Sequence, residues 1–78
     1  MVPDDSARLA VELGFYASQK HEWLARQPGR YVVIKNKDVL GFYRSFQEAY
    51  TAGARRYGLD EDFLVKQIVE REPVFFVF

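Results

Sequence analysis

His21 is the only histidine in the chain, so any nucleophilic triad would have to be assembled around this one ring. Ser18 lies three residues before it and Glu22 directly after it. On a helix these side chains project outward along one stripe, with no oxyanion hole and no pocket to hold a substrate, and His21 reads as a surface or boundary residue. A single histidine and no cysteine exclude zinc clusters built from these residues, thiol catalysis and disulfides. Asp60-Glu61-Asp62 presents hard oxygen ligands but lacks the alternating donors, central glycine and distal glutamate of a calcium loop, so it reads as a solvated turn. Glycines at 14, 29, 41, 53 and 58 are scattered, which leaves neither a P-loop nor a dinucleotide fingerprint. The expectation is a non-enzymatic protein with no catalytic residue, no metal site and no cofactor.

Two binding chemistries remain. Eleven basic and eleven acidic residues cancel overall, yet residues 30–58 hold six basic groups against two acidic ones. Within them Arg30, Lys35, Arg44, Arg55 and Arg56 are interleaved with Tyr31, Tyr43 and Tyr57, a mixture able to contact phosphates and stack bases. No helix-turn-helix, RNP-type or GXXG pattern accompanies them, and the acidic ends dilute the field. The second chemistry is apolar. Val74-Phe75-Phe76-Val77-Phe78 lacks the polar alternation of a strand with one face in water.

The elements that must position these residues follow from periodicity and caps. With 78 residues and 49% hydrophobic content, the chain is one folded domain, 1–78, whose core is too small for a deep substrate cavity. Asp4, Asp5 and Ser6 suit the start of a helix, and apolar residues from Leu9 to Leu24 recur at helical spacing until Gln27-Pro28-Gly29, predicting a first helix over about 6–26. Arg8, Glu12, Gln19, Glu22 and Arg26 make its solvated face. Tyr31–Lys35 and Val39–Tyr43 are β-prone runs joined by Asn36-Lys37-Asp38 and are expected to pair as an antiparallel hairpin. Gly41 marks either a bulge or a close helix approach. Ser45-Phe46-Gln47-Glu48 is a capping box in which Glu48 reaches back to the serine N–H, and Gly58 fits a C-terminal cap, predicting a second helix over 46–57. Ala49 and Gly53 let this helix pack tightly on the hairpin. Phe63–Val69 is read as a third strand, and the tail after Pro73 as extended. The class is α+β, a small two-layer domain ordered helix-strand-strand-helix-strand-strand, an antiparallel hairpin plus C-terminal strands, with both helices on one sheet face.

That layering leaves the tail's second face uncovered, and exposed aromatic strand residues invite association. The cover is the first helix folded to the other face, a second copy making a homodimer, a different protein, or burial within the monomer. The leading expectation is a protein-interaction module that uses Val74, Phe75, Phe76, Val77 and Phe78 or a sheet edge; the alternative is weak nucleic-acid binding through the five basic residues. The acidic, polar N-terminus and the absence of a long apolar run point to a cytoplasmic protein.

Gly29-Arg30-Tyr31-Val32-Val33-Ile34, Asp38-Val39-Leu40-Gly41-Phe42-Tyr43, Phe46-Gln47-Glu48-Ala49, Tyr57-Gly58 and Phe63-Leu64-Val65-Lys66-Gln67-Ile68 together resemble a family of short bacterial proteins of unknown function. The resemblance covers about 29–69, and Pro73-Val74-Phe75-Phe76-Val77 is similar to that family's ending. Some members are encoded beside retropepsin-like aspartic protease homologues, so the resemblance implies such a protein as a partner. The chain lacks the Asp-Thr/Ser-Gly signature of a protease subunit, and the matched positions are hydrophobic, glycine and capping residues that carry no catalytic role.

Overall fold

Three consecutive β1 residues, Val32, Val33 and Ile34, lie fully buried, and since successive strand side chains point to opposite faces, both faces of the sheet must be covered. The computed structural model, which describes residues 9–58, 60–71 and the backbone of 76 and 77, shows how. Helix α1 spans Ala10–Arg26, strands β1 and β2 span Tyr31–Lys35 and Asp38–Tyr43, helix α2 spans Phe46–Tyr57, and β3 and β4 span Leu64–Gln67 and Phe76–Val77. The strands form one antiparallel sheet in the order β2-β1-β3-β4.

The α+β class and the element order match the sequence reading; the layering differs. Leu9, Tyr16 and Trp23 of the first helical segment pack with Val32, Ile34, Leu64 and Ile68. Ala49 of α2 packs with Val33, Phe63 and Val65. These sets occupy alternate positions along β1 and β3, so the helices stand on opposite faces and the domain is helix, sheet, helix. Placing both on one face would leave Val32, Ile34 and Leu64 in water at roughly 1.5–3 kcal/mol each. The premise that one sheet face lacks a helix is therefore overturned; of the four covers considered, the first helix takes the second face.

Helix α1 is anchored by residues seven apart, Leu9, Tyr16 and Trp23, all buried. The Trp23 ring meets Phe42 edge-on at 5.4 Å and Phe15 at 6.0 Å, and the Tyr16 hydroxyl donates to the Gln67 carbonyl at 3.2 Å. The Asp4-Asp5-Ser6 cap lies outside the described residues; α1 begins at Ala10 behind a turn at Leu9. Glu12, expected on the solvated face, is buried, and its Oε2 accepts the backbone N–H of Asn36 at 2.6 Å. The reason lies in the hairpin. Lys35 pairs with Asp38, leaving a two-residue loop with Asn36 at φ 57°, and this tight turn presents to α1 an N–H that Glu12 accepts.

The register of β2 slips between Val33 and Ile34, so Leu40 is the extra residue of a bulge next to Gly41. Ser45 caps α2 by accepting the Glu48 N–H at 3.1 Å, but the Glu48 carboxylate reaches the N–H of Arg44, at 3.4 Å, instead of that of Ser45. Gly58, at φ 83°, closes the helix as expected. Gly53 serves Phe63, not the hairpin: a β-carbon there would run into the buried Phe63 ring.

Two glycines therefore respond oppositely to the same change. Gly53→Ala should lower stability by about 1–3 kcal/mol through overpacking, whereas Gly14→Ala, exposed on α1 with open space around it, should raise it by roughly 0.5–1 kcal/mol. Urea denaturation midpoints moving in the same direction would contradict the Phe63 seat. Glu12→Ala should cost about 1–3 kcal/mol by stripping the Asn36 N–H of its acceptor, and an unchanged midpoint would show that the tie contributes nothing.

Candidate functional site

Strand β2 is an outer strand of the sheet, and α2 returns beside it after the turn at Arg44 and Ser45. Between them runs an open trough of about 540 Å³, lined by Tyr43, Ser45, Gln47, Glu48, Thr51, Ala52 and Arg55. Helical geometry explains the lining. Glu48, Thr51, Ala52 and Arg55 follow an i, i+3, i+4, i+7 stripe on the side of α2 turned away from Ala49 and Gly53. On the strand side the Tyr43 ring lies back over Gly41, where a β-carbon would stand 2.8 Å from the tyrosine hydroxyl. Only glycine leaves the ring this seat.

Burial, followed by the neighbouring Tyr57, pushes the Tyr43 phenol above its ordinary value of 10.0. The trough thus offers a protonated phenol, the hydroxyls of Ser45 and Thr51, the Gln47 amide, a carboxylate and a guanidinium. The Ser45 oxygen already accepts a backbone N–H, and no lining residue combines a nucleophile with a general base. These groups are hydrogen-bond donors and acceptors with one charge of each sign.

The sequence-predicted residues are only partly brought together. Arg30 and Arg44 flank the Tyr31–Tyr43 pair at one end of the hairpin, while Lys35 lies at the other end, roughly 16 Å from Arg30 at the rise of a β-strand. Lys35 is also engaged: its Nζ donates to the Asp62 carbonyl at 2.8 Å, pairs with Glu61 at 3.2 Å and lies 6.0 Å from the centre of the Tyr57 ring. Arg56 lies against that ring at 5.5 Å. The basic segment is therefore not one patch, and the Asp60-Glu61-Asp62 turn is fastened to β1 through Lys35. Among the described residues no group of three acidic or histidine side chains could hold a metal ion. His21 is exposed, and the Ser18 hydroxyl donates to the Phe15 carbonyl at 2.7 Å. Of the aromatic tail, Phe76 and Val77 form β4, opposite Val65 and Leu64; Val74, Phe75 and Phe78 lie outside the described residues.

Sequence reasoning reached Arg55 and Tyr43 as members of a basic, tyrosine-bearing segment and missed Gln47, Thr51 and Ala52 beside them. The readable signal was the second stripe of α2, opposite its aromatic one. A further trough of about 520 Å³, lined by Ala10, Val11, Gly14, Phe15, Ser18 and Lys37, flanks α1. Among the described residues no helix is long and apolar enough to cross a membrane. No family model matches the chain, and searches of curated proteins and of solved structures return no match.

The raised Tyr43 value gives a titration test. The neutral phenol is favoured in the folded state, so its stabilising contribution is complete below pH 10 and is lost as pH rises through the raised value. In a spectrophotometric titration, Tyr43→Phe should remove an ionisation step lying above 10.0; removal of a step below it would contradict the assigned environment.

Proposed function

We infer that the protein is a non-enzymatic interaction module that associates through its C-terminal strand with a second copy or with another protein. One observation carries the reading: the sheet order puts β4 outermost, paired with β3 on one side only among the described residues. An outer strand presents unpaired backbone N–H and C=O groups to an incoming strand. Apolar sequence at the same place, Phe76-Val77 with Phe78 following, adds buried area to those hydrogen bonds. On this reading the protein acts in the cytoplasm, and the bacterial family it resembles makes a retropepsin-like aspartic protease homologue one partner to test by co-purification.

Replacing Phe76 and Phe78 together by serine should abolish self-association or partner capture while circular dichroism retains the helical signal. Sedimentation velocity reads the mass directly. A mass unchanged between wild type and variant, together with undiminished partner capture, would overturn the reading.

A further inference from the structure

At the opposite edge of the sheet, we propose that β2 and α2 form a binding site for an extended peptide carrying a basic residue followed two positions later by an acidic one. The peptide would add antiparallel to β2 and lie in the trough beside α2. This site is independent of β4, so the two readings succeed or fail separately.

The argument begins with the backbone. Strand β2 pairs with β1 alone among the described residues, so its outer edge is open. The bulge at Leu40 breaks the regular ladder on one side, and a bulge hinders pairing where it sits. That leaves Gly41–Tyr43, the segment beside the trough, as the stretch an added strand would use. All strand pairings described in this sheet are antiparallel, and antiparallel pairing is the more stable per residue.

Charge then sets direction and spacing. Glu48 and Arg55 lie seven residues apart on one stripe of α2, about 10.5 Å at the helical rise. Arg55 makes no ion pair among the described residues, and Glu48 uses one carboxylate oxygen on the Arg44 N–H, leaving the other for a ligand. Since α2 follows β2 and runs back beside it, a strand antiparallel to β2 runs in the direction of α2. Its earlier residue therefore meets Glu48 and its later residue meets Arg55. Strand side chains facing the same way are separated by two residues, about 6.8 Å. The Glu48 and Arg55 side chains both lean toward the helix N-terminus, and the longer arginine reaches further along it than the glutamate, which shortens the gap between the two charges and favours this two-residue spacing over four. The Ser45 and Thr51 hydroxyls, the Gln47 amide and the Tyr43 phenol border the path and can bond the peptide's remaining polar groups.

The test is a titration of isotope-labelled full-length protein, at low ionic strength, with acetyl-Val-Thr-Lys-Val-Glu-Val-Thr-amide and with the same peptide in which lysine and glutamate exchange places. The lysine-first peptide should shift the amide resonances of Gly41, Phe42, Tyr43 and α2 and bind at least about fivefold more tightly than the exchanged one, the scale expected of two exposed charge pairs made attractive or repulsive. Arg55→Ala should weaken it about threefold. The double variant Glu48→Lys with Arg55→Glu should invert the preference, and Glu48→Gln with Arg55→Gln, which retains uncharged polar groups, should erase it. Equal binding of the two peptides, shifts confined to β3 and β4, or no shift at millimolar peptide would each overturn the proposal. The Phe76 and Phe78 serine variant should bind the lysine-first peptide as wild type does.

Discussion

A central strand that must be dry on both sides governs this molecule. Val32, Val33 and Ile34 are fully buried in succession, and each needs apolar neighbours on the face to which it points. Neither helix alone meets that demand, so α1 takes the face of Val32 and Ile34 and α2 takes the face of Val33. Other features are consequences. Trp23 lies across Phe42 because α1 must cover the face of the sheet to which Phe42 belongs. Gly53 lacks a side chain because the Phe63 ring needs the space beneath α2. Glu12 enters the interior because the hairpin turn, pressed against α1, carries an N–H that needs an acceptor.

Much of this was legible in the sequence and some was not, for identifiable reasons. The extent of α2 followed from Ser45 and Gly58, because a side-chain acceptor at one end and a residue tolerant of positive φ at the other are local requirements that neighbours do not override. The hairpin was equally local. Layering was not, since covering one sheet face or two depends on residues distant along the chain. The clue was present in the runs Val32-Val33-Ile34 and Phe63-Leu64-Val65, which are as two-sided as the C-terminal tail. Applying the same rule to the inner strands indicates two covered faces. Glu12 was misassigned because helical periodicity separates polar from apolar residues but cannot register that a turn elsewhere supplies a donor.

For the candidate site, residue type was the weaker guide and position the stronger. Lys35 looks like a phosphate contact by composition, yet the acidic turn that precedes β3 engages it. Arg55 has the same charge and a different situation, standing on the stripe of α2 that borders an open strand edge. The sheet thus ends in two unlike margins. One is a short apolar strand, the other a bulged strand beside a polar helix face.

The covering of one sheet by α1 on one face and α2 on the other also bears on the order of assembly. The hairpin and α2 are contiguous in sequence and can condense as soon as they are synthesised. The apolar side of α1 rests partly on Leu64 and Ile68, which follow it in the chain only after the hairpin and α2. That side of α1 is therefore fully sheltered only once β3 has joined the hairpin.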